Sequence, residues 1–205
     1  MSGESSRPEL VGLRLGDPAE RWKALGFDVH DSAVQLGGLE LELGCEAPGI
    51  AGWRLRGAEV PPAIDGLRTE EATTRMARAG TEHPNGAIGI DHVVVTTPDF
   101  DRTAAALAAA GIELRRFREA AGGFRQGFRR LGPAILELVE ARDAPPGPAS
   151  FWGLVVIVAD LHALADRLGD RLAAPTDAVQ PGRQIATLRR SAGLGEPVAF
   201  MTPEN

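Results

Sequence analysis

"DHVVVTTPDFDRTAAALAAAG", residues 91–111, decides how the rest of the chain is read. Val93 to Thr97 are all β-branched, and such a run suits a half-buried or buried strand. Pro98 ends it. Asp99 then offers a side-chain acceptor to the free N–H groups of a first helical turn. Phe100, Ala104 and Leu107 make a narrow apolar stripe, and Gly111 suits a left-handed helix stop. The unit is a strand, an Asp-led helix and a glycine, with His92 at the front of the strand.

Working outward, the same layout recurs in "LVGLRLGDPAERWKALG", residues 10–26, and in "LVVIVADLHALADRLG", residues 154–169. The leading acids are Asp17, Asp99 and Asp160, each read as a helix cap, and the stops are Gly26, Gly111 and Gly169. Short apolar segments separated by turn residues follow each helix, as at Gly37-Gly38 and in the "LGP" of residues 131–133. Each module therefore reads as strand, helix, then two or three strands. Residues 46–88 are looser. "GWRLRGAEV" reads as a strand and as the stub of a fourth, truncated module. "TEEATTRMARAG" reads as a short helix capped by Thr69, and a boundary falls near residues 80–88.

The totals narrow the class. The chain has 205 residues, 43% hydrophobic and 24% charged, enough for a real core. A net charge of -6 argues against a general nucleic-acid binder. Cys45 is the single cysteine, which excludes an internal disulfide and a Cys-rich zinc site and reads as a small buried hydrophobe. No apolar run is long enough to span a bilayer, and the polar start lacks the pattern of a signal peptide. The expectation is a cytoplasmic protein with no membrane partner.

On "DHVVVTTPDFDRTAAALAAAGI", "ILELVE" and "FWGLVVIVADLHALADRLG", the chain resembles the vicinal oxygen chelate superfamily, also called glyoxalase-like. The resemblance covers residues 88–203 well and residues 9–60 weakly. It implies an α+β fold of βαβββ modules paired into a curved sheet with a cleft. A degenerate glyoxalase-like half would occupy residues 1–85 and the paired modules residues 86–205. The family's metal positions match His92 and Glu137, with a divalent metal (Zn, Ni, Mn or Fe) as the implied cofactor. The partner positions depart from the pattern: Gly153, or Leu154 one residue on, stands where a histidine would, and Ala199 where an acid would. In the first module Leu10 and Glu42 take the corresponding places. Modules of this kind often pair across chains, which allows a homodimer. A tandem ferredoxin-like βαββαβ arrangement is the competing fold.

The candidate residues have ordinary readings beside functional ones. His92 is a strand histidine satisfied by a hydrogen bond, or a ligand. Glu137 within "ILELV" either faces out or needs an inward partner, because an unpaired buried carboxylate is costly. Glu140 and Glu42 read as solvated, and His83 as a loop residue. The arginines from Arg115 to Arg130 form a charged outer face, or some of them line the cleft and hold an anion by forked hydrogen bonds. The candidates for a substrate are Arg125, Arg129, Phe128 and Trp152. Two functions follow. One is a protein that binds a small, anionic or apolar molecule in a cleft with an incomplete metal site. The other is a metal-dependent lyase, isomerase or dioxygenase of the same superfamily.

Overall fold

The computed structural model describes residues 8–57, 60–72, 82–120 and 122–204. It is α+β, with two curved sheets and few helices. The first sheet holds β1 (Glu9–Leu15), β2 (Ala33–Leu36), β3 (Leu39–Leu43), β4 (Ile50–Arg56), β5 (Ala63–Ile64) and β6 (Leu67–Glu71), in the order β2-β3-β1-β4-β6-β5. The second holds β7 (Ala87–Thr97), β8 (Arg116–Glu119), β9 (Arg125–Leu131), β10 (Ala134–Glu140), β11 (Ser150–Val158), β12 (Thr176–Asp177), β13 (Gln184–Thr187) and β14 (Val198–Met201). Its order is β12-β13-β14-β11-β7-β10-β9-β8. Helices α1 (Ala19–Ala24), α2 (Phe100–Ala109) and α3 (Leu161–Leu168) follow β1, β7 and β11.

One wiring rule generates both sheets. The first strand of a module pairs in parallel with its last: β1 with β3, β4 with β6, β7 with β10, and β11 with β14. The first strands of adjacent modules pair antiparallel, β1 with β4 and β7 with β11. Three strands follow α2 and three follow α3, which is βαβββ and not the ferredoxin-like alternative. Residues 50–71 are the expected fourth stub, with β6 closing on β4. The expected helix from Thr69 is not formed at its start. Residues 67–71 are a strand, and Thr69 lies buried in it, accepting from Trp53 Nε1 at 2.7 Å. The rest of that segment, residues 73–81, lies outside the described residues.

The helix caps also differ. Asp99 and Asp160 accept from Arg102 N and Ala163 N, as an N-cap should. Asp17 does not cap α1, whose N-cap is Pro18. Its carboxylate accepts instead from Arg21 Nη1 at 3.0 Å and from Gly195 N at 2.9 Å.

The sheets share one hydrophobic core. Leu13, Leu15, Leu41 and Trp53 of the first sheet join Val93, Val95, Leu136, Leu138 and Phe200 of the second. Phe27 stacks on Phe200 with ring centroids 6.3 Å apart, and Trp53 meets Phe151 edge-on at 5.4 Å. At roughly 25 cal/mol per Å2 of buried apolar surface, these large side chains dominate the cohesion between the sheets. Strand alternation sends the intervening residues to the far face of each sheet.

The two far faces are unlike. In both sheets the paired first strands carry extra residues: Val11 and Ala51 in one, Asp91 and Trp152 in the other, which has a further one at Ile88. Aligning these bulges makes His92 equivalent to Gly153, Gly12 and Gly52. It makes Glu137, which pairs with Val94, equivalent to Ala199, Glu42 and Glu70. Gly153, Ala199 and Glu42 thus stand where the sequence places them. Leu10 does not: it is buried in the core, and Gly12 takes the position because β1 ends three residues beyond it whereas β7 ends five residues beyond His92. On the first sheet Arg14 pairs with both Glu42 and Glu70, and Arg54 with Glu40 at 2.5 Å. A Cβ on Gly12 would meet Arg54 Nε at 2.7 Å. Arginine side chains therefore fill the first sheet's hollow, and the second sheet's stays open.

Candidate functional site

The open hollow of the second sheet has a cavity of about 450 Å3. Its floor is apolar, with Val94, Val139, Val155, Ile185 and Ala199, and Trp152 stands at its edge, 52% exposed. His92 and Glu137 are its ionisable lining residues, each with a side chain 13% exposed. They come from β7 and β10, one step apart diagonally, because Glu137 is in register with Val94 and His92 with Ile135. His92 Nε2 lies 3.4 Å from Glu137 Oε2. Imidazole and carboxylate share the hollow, as strand alternation from the two segments implies. His92 is not at the front of its strand, however. The strand begins at Ala87, and the bulge at Asp91 places His92 near its middle.

A hydrogen-bonded chain extends from this pair in both directions. Asp91 Oδ2 meets His92 Nδ1 at 2.7 Å, and buried Arg183 meets Asp91 Oδ1 at 2.7 Å. On the other side Gln126 Nε2 donates to Glu137 Oε1 at 2.8 Å, and Arg118 Nε donates to Gln126 Oε1 at 2.8 Å. Burial pushes the Asp91 carboxyl up, but hydrogen bonds from His92 and Arg183 outweigh it and hold it below its ordinary value. An ionised Asp91 selects the imidazole tautomer with its proton on Nδ1, so Nε2 presents its lone pair to Glu137. Burial raises the Glu137 carboxyl, against the opposing pull of His92 and Arg118. The pair thus sets an imidazole nitrogen and a carboxylate oxygen side by side, both facing the hollow.

This donor set does not fit a resident metal. The equivalent positions, Gly153 and Ala199, have no side-chain donor. His92 and Glu137 face each other, and their remaining polar atoms are engaged by Asp91 and Gln126. Among the described residues no group of three or more His, Cys, Asp or Glu side chains gathers in metal-binding geometry. A protein zinc site takes three or four protein ligands.

Beyond the His92–Glu137 pair the hollow continues into an outer lobe of about 620 Å3. Arg116, Arg118, Phe128 and Arg130 project into it from β8 and β9, facing Ile185 and Val179. Arg118 lies over the Phe128 ring, 5.9 Å from its centroid.

The four expected substrate residues separate. Phe128 and Trp152 line the hollow. Arg125 is on the opposite face: it pairs with Glu140 at 3.0 Å and Asp101 at 2.8 Å and lies over the Phe100 ring. Arg129 alternates onto the Arg125 side, in register with Leu136, yet it lines the outer lobe as well. The clue was parity: Gln126, Phe128 and Arg130 share the side of Glu137, and Arg125 does not. Glu140 is not solvated. It is buried beneath Arg125 and Arg142, and their hydrogen bonds pull its carboxyl down to about 2. His83 is a buried turn residue whose Nδ1 accepts from Asp28 N and whose Nε2 bonds Gln35 O. Asp91, Gln126 and Arg183 are the site residues that the sequence did not single out.

No family model matches the chain, and no curated protein matches it. Among solved structures it is similar to methylmalonyl-CoA epimerase from Mycobacterium tuberculosis, at 20% identity and a TM-score of 0.48, over 58% of this chain and 91% of that one. It is similar to a Streptomyces coelicolor methylmalonyl-CoA epimerase variant in complex with 2-nitronate-propionyl-CoA, at 20% identity and a TM-score of 0.46, over 57% of this chain and 97% of that one. A hypothetical protein from Bacillus halodurans matches at 15% identity and a TM-score of 0.46, over 57% of this chain and 94% of that one.

Proposed function

We propose that this chain is a glyoxalase-like protein of the vicinal oxygen chelate type that binds a small molecule in the second sheet's hollow. The apolar body of the ligand lies on Val94, Val139, Val155 and Ala199 beside Trp152. A carbonyl or hydroxyl oxygen meets His92 and Glu137. An anionic group extends toward Arg116, Arg118 and Arg130. The observation that carries this reading is the His92–Glu137 pair, 3.4 Å apart at the edge of an otherwise apolar floor. Such a site, mostly apolar with a few convergent polar groups, is the usual form of a small-molecule pocket. Residues 1–85 are the degenerate half and residues 86–205 the binding half of a cytoplasmic protein that pairs as a homodimer.

The convergence of His92 and Glu137 also carries a second reading, a metal-dependent lyase, isomerase or dioxygenase, in which a substrate or another chain supplies the ligands that Gly153 and Ala199 lack. One titration separates the two. The full chain is purified without chelator and titrated with Zn, Ni, Mn and Fe(II), and separately with anilinonaphthalene sulfonate, an apolar-bodied anion. The pocket reading expects saturable dye binding, unchanged by the metals and weakened by Trp152→Ala. Stoichiometric tight metal binding that Glu137→Ala abolishes would establish the second reading instead.

A further inference from the structure

The arginines of this chain divide by whether their guanidinium groups have a partner. Arg14, Arg54, Arg102, Arg125 and Arg183 are each held by a carboxylate. Among the described residues, the guanidinium groups of Arg116, Arg129, Arg130, Arg189 and Arg190 meet no carboxylate, carbonyl or ring. The Nε of Arg129 is buried without a hydrogen-bond partner. Arg118 bonds only the neutral Gln126 and lies over the Phe128 ring. In a chain of net charge -6, acids are plentiful, yet these cations stay apart from them. They lie at the two ends of one hollow.

Arg116, Arg118, Arg129 and Arg130 line the outer lobe of about 620 Å3. Arg189 and Arg190, both exposed, line a far lobe of about 830 Å3. His92, Glu137 and Ile185 belong to the outer lobe and to the apolar hollow alike. Trp152, Thr187 and Pro197 belong to the hollow and to the far lobe alike. The three spaces therefore form one groove. Its axis runs along the strands: on β13, Ile185 stands toward the outer lobe and Thr187 toward the far lobe. His92 and Thr96 both line the hollow and are four residues apart on β7, which makes the apolar middle about 13 Å long at roughly 3.3 Å per residue. Besides Glu137, two acids line the end lobes. Asp177 is exposed at the outer one, and Glu196 lines the far one with both carboxylate oxygens buried.

We propose that the groove takes a two-ended anion, an elongated molecule with an apolar middle and an acidic group at each end, of the class of the long-chain α,ω-dicarboxylic acids. The inference rests on the ligand pocket proposed above and adds a second charged end to its ligand. One carboxylate enters among Arg116, Arg118 and Arg130, the other reaches Arg189 and Arg190, and the chain lies on Val94, Val139 and Val155. Unpartnered guanidinium groups are suited to forked hydrogen bonds with carboxylates. An apolar pocket by itself rejects a chain whose far end is charged, because a carboxylate without a partner is costly to desolvate. The arginines of the far lobe reverse that preference.

Calorimetric titration of the full chain with two matched series gives the test. One series is decanedioate, dodecanedioate and tetradecanedioate, and the other is decanoate, dodecanoate and tetradecanoate. At least one dicarboxylate is expected to bind about tenfold tighter than the monocarboxylate of equal length, through the added charge-assisted hydrogen bonds. Butanedioate, too short to bridge the lobes, should show no such gain over butanoate. Arg189→Ala with Arg190→Ala should erase the gain. Binding of anilinonaphthalene sulfonate, measured in parallel, reports on the pocket itself. Dye binding with no dicarboxylate gain at any length, or a gain that survives the double variant, overturns the two-ended ligand and leaves the pocket standing. Absence of dye and fatty-acid binding together brings down both.

Discussion

His92 Nε2 stands 3.4 Å from Glu137 Oε2 although the two residues are on different strands and out of register by one diagonal step. The contact depends on parallel pairing of the first and last strands of one module, which places Val94 beside Glu137 and His92 beside Ile135. His92 Nδ1 is held by Asp91 and Glu137 Oε1 by Gln126, which leaves His92 Nε2 and Glu137 Oε2 to meet a ligand oxygen. His92→Ala and Glu137→Gln should therefore alter selectivity for oxygen-bearing ligands more than the affinity for a purely apolar probe. Calorimetric titration of the variants with matched ketone and alkane probes checks this.

The outer lobe should set the preference for anions. Arg118→Ala with Arg130→Ala is expected to weaken binding of anilinonaphthalene sulfonate about tenfold or more, since a charge-assisted hydrogen bond contributes roughly 1.5–3 kcal/mol. Arg125→Ala should leave dye binding unchanged, because Arg125 points to the other face. Fluorescence titration of the two variants distinguishes them.

Glu140 makes the fold acid-sensitive. Its folded value of about 2 lies below its ordinary 4.5, so the ionised form favours folding above about pH 4.5. That contribution fades as pH falls through the range from 4.5 to 2. Thermal melts of wild type and Glu140→Gln should differ at pH 7 and converge as the pH approaches 2.5.

Thr69→Val should destabilise the first sheet by about 1–3 kcal/mol, the cost of leaving a buried donor unmet. Trp53 is fully buried, and Thr69 accepts its indole N–H at 2.7 Å. Urea unfolding followed by tryptophan fluorescence measures the loss.

Burial, with Glu42 alongside, pushes the Cys45 thiol up. Its reaction with a disulfide reagent at pH 7.5 should be slower than that of free cysteine, since only the thiolate reacts. Glu42→Gln should speed it.

Apolar runs, Asp-led helices and glycine stops are local signals, which is why the modules, their order and the fourth stub were readable in the sequence. Gly153 was placed by counting back from Asp160 and Ala199 by its place in the last strand; the count holds because Asp99 and Asp160 both cap the helix that follows. The same count failed at Leu10, where the strand ends sooner after the equivalent position and Asp17 caps nothing. The Arg125 assignment failed on parity, since Phe124, Gln126 and Phe128 alternate with Arg125, and Arg125 and Phe128 were nonetheless placed in one cleft. Asp91 and Arg183 were out of reach, because their ion pair joins residues distant in sequence.

The extra residue at Asp91 gives β7 something that two-fold alternation forbids. In a regular strand, neighbours in sequence point to opposite sides and cannot touch. The local kink lets consecutive residues, Asp91 and His92, bond at 2.7 Å, so a dipeptide acts as a single polar unit. The matching insertion in β11 contributes an indole, and those in β1 and β4 contribute only Val11 and Ala51. Chemistry enters this architecture by lengthening a strand by one residue, and deleting Asp91 would erase the imidazole's tether while leaving the inside-outside rhythm of the remaining residues intact.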